Sequence, residues 1–146
     1  MQDAIVRELV INAPQEEIYD AIANPEKLIQ WFPDALEGTY AVGEQPIFVF
    51  EGHGKVHTYI VDAKPYEYFA YQWVPGNTTF VGDVRTVPHT LVEFRIQPEN
   101  DGSCKVILTE SGFASLPDDM GEKALSMNSG GWDYYIDAFQ KYFDKK

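Results

Sequence analysis

Apolar and polar positions change period three times along the chain. Residues 4–11 are rich in Val, Ile and Leu and read as a strand. Pro14 at a first helical position, followed by Gln15, Glu16 and Glu17, starts a helix whose Ile18 and Ile22 lie four apart. Asn24-Pro25-Glu26 repeats the signal: a capping residue, then Pro, then an acid. The second short helix runs to about Trp31 or Phe32, where Pro33 stops it, and substitution of Trp31 in these short helices is expected to change ligand binding little.

From Leu36 to Gly112 the pattern is that of strands. Ile47 to Phe50 is a short apolar run, and Gly52-His53-Gly54 is a hairpin turn. Strands are expected over Lys55–Ala63 and Tyr66–Trp73 around Lys64-Pro65, then a loop or ragged hairpin over 74–89. Leu91–Gln97 alternates cleanly, with Val92, Phe94 and Ile96 on one face. It turns at Asn100-Asp101-Gly102 into Cys104–Gly112, where Cys104, Val106, Leu108 and Glu110 share a face. Strands joined in sequence by turns predict an antiparallel meander without parallel crossovers.

The last segment has helical spacing: Leu125, Trp132, Tyr135, Ile136, Phe139, Tyr142 and Phe143 recur every three or four residues, after a start at Pro117-Asp118-Asp119. Gly130-Gly131 interrupts it at a cost of about 2 kcal/mol relative to alanine. Close approach of another backbone, or room for a ligand, would account for the pair.

Length and charge narrow the function. At 146 residues the chain is read as one domain, 1–146, able to hold a core without disulfide or metal. Eleven Lys and Arg against 23 Asp and Glu give a formal net charge of −12. That field repels nucleic acid and anionic membranes, so neither is expected as a partner. With one cysteine, no signal-like N-terminus and no long apolar run, a cytoplasmic protein is expected.

Four motifs then stand in a suggestive order: INAPQEEIYDAIANPEKLIQWF (Ile11–Phe32), GKVHTYIVDAKPYEYFAYQW (Gly54–Trp73), LVEFRI followed by LTESGF (ending at Phe113), and GGW (Gly130–Trp132). Together they resemble the SRPBCC, or START-like, superfamily over nearly the whole chain, and most closely the branch named for the activator of the 90-kDa heat-shock chaperone's ATPase, in its C-terminal-type domain. The resemblance implies an α+β helix-grip fold. In it a curved antiparallel sheet wraps around a long C-terminal helix over about residues 119–143, two short helices lie between strands one and two, and a cavity separates sheet and helix.

Within that frame the aromatic residues are the first candidates for a site. Phe69, Tyr71 and Trp73 share a strand face, Phe94 lies on the next strand, Phe48 and Phe50 on an earlier one, and Trp132 and Tyr135 on the helix. Converging, they would suit a flat, mostly apolar ligand; the plain alternative is that they are core. Glu110 is the sharpest polar signal, because an inward carboxylate must be paired, hydrogen-bonded or shifted in pKa. It could anchor a ligand's polar end or reach solvent at the strand end. His53 in the turn and His57 on the strand after it are too far apart for a metal pair, Cys104 reads as a small buried hydrophobe, and neither a nucleophile elbow nor a phosphate loop is present. No catalytic residue, metal or cofactor is expected.

Three functions compete. The first is binding of a small aromatic or lipid-like molecule between sheet and helix, with tyrosines, Glu110 and His57 as polar anchors. The second, implied by the resemblance, is a co-chaperone-like stimulator of a chaperone ATPase acting through a surface patch. The third is a cyclase or dehydratase with Glu110 as base and a tyrosine as acid, ranked last because no matched catalytic set is present.

Overall fold

The computed structural model describes residues 3–117 and 119–144, so Asp118, one of the residues expected to start the last helix, lies outside the described residues. Strand β1 (Ala4–Ile11) is followed by α1 (Gln15–Ala23) and α2 (Pro25–Leu28). Pro14 caps α1 in extended conformation rather than occupying its first turn, and its carbonyl accepts from the Glu17 and Ile18 amides. Asn24 caps α2 as expected: its side chain accepts from the Glu26 amide at 3.0 Å, with Pro25 opening the helix. α2 proper ends at Leu28, but turn hydrogen bonds from the Trp31 and Phe32 amides to the Leu28 carbonyl carry the coil on to Phe32.

The remaining strands are β2 (Ala35–Glu37), β3 (Ile47–Phe50), β4 (Gly54–Lys64), β5 (Tyr68–Trp73), β6 (Thr90–Pro98) and β7 (Cys104–Ser111), before the 25-residue α3 (Met120–Asp144). They form one antiparallel sheet in the order β1-β7-β6-β5-β4-β3-β2. Apart from β1, which returns beside β7, this is the meander that the turn signals predict. The three-residue β2 was not expected, being too short to show an alternation. β5 begins two residues late because Pro65–Glu67 form the turn. In that turn Tyr66 takes φ +75°, held by Gln15 Nε2 donating to its carbonyl at 2.7 Å and by its ring against Tyr19. Residues 74–89 form a loop with a single 3-10 turn at Val84–Thr86, and Val84 is buried against the outer face of β4 and β5.

The alternation read from the sequence sets the inner face. Val56 and Ile60 of β4, Phe69, Tyr71 and Trp73 of β5, Val92, Phe94 and Ile96 of β6, and Val106 and Leu108 of β7 are all buried. Register places Phe69 opposite Phe94 and Tyr71 opposite Val92, with Phe94 opposite Leu108. The architecture is an α+β helix-grip.

Trp31 is part of the core. It is buried, its indole donates to the Ala21 carbonyl at 2.8 Å, and its ring meets Phe139 of α3 at 4.6 Å and Phe94 at 6.3 Å. Leu28, Trp31 and Phe32 have the spacing of one helical face, and that face is inserted between sheet and α3. Trp31→Ala should therefore destabilise the protein by about 3–5 kcal/mol. Denaturant unfolding checks this, and a loss below about 1 kcal/mol would mean that the ring is not part of the core.

Candidate functional site

Glu110 is the last inward residue of β7, and its alternation with Val106 and Leu108 leaves its carboxylate no route to solvent: the residue is 0% exposed. Four donors surround it. Trp73 Nε1 of β5 and Thr90 Oγ1 of β6 donate to Oε2 at 2.9 and 2.6 Å. Asn128 Nδ2 and Trp132 Nε1 of α3 donate to Oε1, both at 2.8 Å. A carboxylate offers about four acceptor positions, so protein groups fill it. Trp73 and Thr90 face each other across β5 and β6, while Asn128 and Trp132 are one helical turn apart. One buried group thus fastens the helix to three strands and fixes the orientation of two indoles.

Phe32 is the second organising residue. Its ring lies within 6.0 Å of Phe48, Phe50, Trp73, Trp132 and Tyr135, and at 5.4 Å from Trp31. Trp73 and Trp132 are themselves 6.0 Å apart. A flat ring inserted between two others needs a separation of about 7 Å, so no ligand fits between these indoles in this arrangement. The space expected to separate sheet from helix is largely filled by side chains of the chain itself.

Open volume lies to the side. A neck of about 60 Å³ is bounded by Phe32, Phe50, Trp73, Asn128, Gly131, Trp132 and Tyr135. Four of these, Phe32, Phe50, Gly131 and Tyr135, also border a groove of about 570 Å³ between α3 and the segments 29–34 and 50–53. A Cβ built on Gly131 meets nothing within 4 Å, so the glycine is not there to admit another backbone. The same holds for Gly130, which is exposed and borders neither space.

The residues singled out in the sequence divide accordingly. Phe50, Trp73, Trp132 and Tyr135 line the neck. Glu110 stands directly behind it, through its bonds to Trp73, Asn128 and Trp132. Phe48 and Tyr71 pack behind Trp73. Phe94 lies on the far side of Trp132, with Trp31. Phe69 faces Tyr40 at 5.1 Å, bordering a separate 450 Å³ surface crevice beside α1. His57 sits on the outer face of β4, where Nδ1 accepts from the Gly82 amide at 3.3 Å, and is remote from the neck. Among the described residues no three His, Cys, Asp or Glu groups cluster in a way that could hold a metal ion.

The Tyr71 hydroxyl is buried and has no hydrogen-bond partner among the described residues. Burial, and then the nearby Glu110 charge, push its pKa well above the ordinary value. Phe32 and Asn128 escaped the sequence reading as site residues, whereas Gly131 was marked there, with Gly130, as room for a ligand or for another backbone. Phe32 carried a signal in its helical spacing from Leu28, whereas Asn128 is identified only by the group it meets.

Glu110→Gln should destabilise the fold with no ligand present, because a carboxamide nitrogen would face donors that now have an acceptor. The expected loss is about 2–5 kcal/mol, together with altered tryptophan fluorescence as the indoles are released. Unchanged unfolding and fluorescence would show that the four-donor arrangement does not hold the helix.

Comparison with known proteins agrees with this geometry. The family model described as Activator of Hsp90 ATPase homolog 1-like protein matches residues 12–144. No curated protein matches the chain significantly. Among solved structures, protein MLL2253 from Mesorhizobium loti superposes with a TM-score of 0.79 at 19% identity, covering 98% of each chain. The Aha1 dimer from Colwellia psychrerythraea gives a TM-score of 0.76 at 18% identity, over 97% of this chain and 96% of that one. DynU16, a protein in the dynemicin biosynthetic locus, gives 0.78 at 17% identity, over 99% of this chain and 48% of that one. At such identities these structures speak for the fold, and the family match covers nearly all of the chain: the protein belongs to the Activator of Hsp90 ATPase homolog 1-like family, within the SRPBCC-type helix-grip fold.

Proposed function

We propose that the protein binds a small, mostly apolar molecule, with the ligand seated in the side groove and its leading edge in the neck. The observation that carries this reading is the continuity of the 570 Å³ groove with an aromatic neck through Phe32, Phe50, Gly131 and Tyr135. A groove of that volume is in the range used by drug-sized ligands, and the neck alone admits only part of one ring. Gly131 supports the reading. It lowers helix stability by about 1 kcal/mol relative to alanine and borders both spaces. Phe50, Trp73, Trp132 and Tyr135 would touch the ligand. Glu110 would act by holding the two indoles, its acceptor positions being taken. The unpartnered Tyr71 hydroxyl supports a polar contribution from behind the neck. Phe48, Phe69 and Phe94 would serve as packing.

A second reading, stimulation of a chaperone ATPase, draws support from the family description and from exposed Met127 and Tyr134 on α3. ATPase assays with the purified chaperone separate it from the first. Asp34, Glu51 and His53 border the groove, but Glu110, the carboxylate expected as base, has its acceptor positions filled by protein donors, so an enzyme ranks below both.

The neutral fluorophore N-phenyl-1-naphthylamine tests the binding reading. Its emission should rise on binding and the melting temperature should increase with its concentration. Tyr135→Ala should weaken binding by about 1–3 kcal/mol. Gly131→Ala should raise the melting temperature while weakening the probe, a combination that general destabilisation cannot produce. Probe binding untouched by both variants would place the site elsewhere.

A further inference from the structure

The groove beside α3 has a polarity of its own. Among the described residues two carboxylates, Asp34 and Glu51, border it, and no lysine or arginine does. Both acids are exposed, and no ion pair among the described residues engages either of them. Lys55, four residues beyond Glu51, is paired with Glu37 at 2.7 Å and does not border the groove. Asp34 is held in place by the backbone. Its amide donates to the Val49 carbonyl at 2.9 Å, and its Oδ2 accepts from the Glu51 amide at 2.6 Å. That bond leaves most of the acceptor positions of the Asp34 carboxylate open.

The N–H groups of the same wall are already committed. Trp31 Nε1 donates to the Ala21 carbonyl at 2.8 Å, Gln30 Nε2 to the Glu26 carbonyl at 3.1 Å and the His53 amide to the Phe50 carbonyl at 2.9 Å. The His53 ring and the hydroxyls of Tyr134 and Tyr135 remain, and each can accept as well as donate. An anion entering the groove would therefore exchange water for two carboxylates and few donors. A cation meets the reverse. Phe50 and Tyr135 border both groove and neck, with ring centroids 6.2 Å apart. An ammonium group within about 6 Å of such a ring is attracted to its face. The Asp34 charge reaches this junction: after burial and Tyr134, it raises the pKa of the Tyr135 hydroxyl.

We propose that the ligand of this groove is an organic cation: a flat apolar body that enters the neck and carries an amine or quaternary ammonium group, held by the ring faces and by the Asp34 and Glu51 carboxylates. The inference rests on the binding reading above and specifies the charge of its ligand. The chain's formal net charge of −12 draws cations and repels anions, so the long-range field favours the same class. That field acts over the whole surface, whereas the groove carboxylates act only on a bound group.

Equilibrium dialysis of three naphthalene probes separates these effects. They are the cation 1-naphthylmethyl-trimethylammonium, its neutral carbon isostere 1-neopentylnaphthalene and the anion 1-naphthylacetate. The cation should bind about tenfold more tightly than the neutral isostere, and the anion more weakly than either. Asp34→Asn and Glu51→Gln should each lower the ratio of cation to neutral affinity about threefold, and D34N/E51Q about tenfold, the size expected of partly solvated ion pairs. The asparagine oxygen can still accept from the Glu51 amide, so the turn is kept. Glu8→Gln, exposed on β1 at the opposite edge of the sheet from β2 and β3, removes the same unit of charge and should leave the ratio as it is. A neutral isostere that binds as tightly as the cation overturns this inference and leaves the binding reading standing. So does a ratio indifferent to the two groove variants, or one lowered as much by Glu8→Gln. If none of the three probes binds, the groove is not a ligand site and both readings fall.

Discussion

A carboxylate sealed from water must find its full set of donors within the protein, and Glu110 finds them on β5, β6 and α3. The constraint reaches well beyond one residue. Trp73 and Trp132 cannot rotate without abandoning an acceptor, so their rings become fixed walls. α3 cannot slide along the sheet, because Asn128 and Trp132 grip one oxygen from successive turns. In this position a charged group supplies uniqueness of packing, which an apolar residue of similar size would not impose.

Around that anchor the interior is closed by the residues that end α2. Trp31 and Phe32 enter from the open end of the helix-grip and occupy the volume between sheet and helix, with Phe32 within ring-contact distance of six aromatic neighbours. Edge-on, tilted and stacked contacts of this kind contribute about 0.5–1.5 kcal/mol each beyond burial. The consequence is a firm core with free space displaced to the flank, where Gly131 thins the helix. The helix-grip is thus compatible with binding at a mouth rather than in a sealed chamber, and the chain's own aromatics define how far a ligand can enter.

α3 has three faces in different surroundings. Trp132 and Phe139 belong to the core, Gly131, Tyr134, Tyr135 and Ala138 border the groove, and Met120 and Met127 extend an outward apolar stripe. Gly131 stands where the groove and the stripe meet. Its lack of a side chain keeps the groove open. No described helix is long and apolar enough to cross a membrane, so the stripe is not part of a membrane span.

Much of this was legible in the sequence by itself. Alternation from Leu91 to Gly112 placed Phe94, Val106, Leu108 and Glu110 on one face, Asn24-Pro25 marked the junction of two helices, and spacing of three and four marked α3. Those features depend on neighbours a few residues away, and backbone periodicity transmits them directly. The tertiary structure alone decided three other matters. Glu110 is saturated because donors from positions 73, 90, 128 and 132 converge on it; Trp31 and Phe32 are core because a helix end is inserted under the sheet; and the open volume lies beside α3 because those rings exclude it from between sheet and helix. Each depends on distances between residues far apart in the chain, set by close packing of whole side chains, and no local pattern of polar and apolar positions encodes such distances.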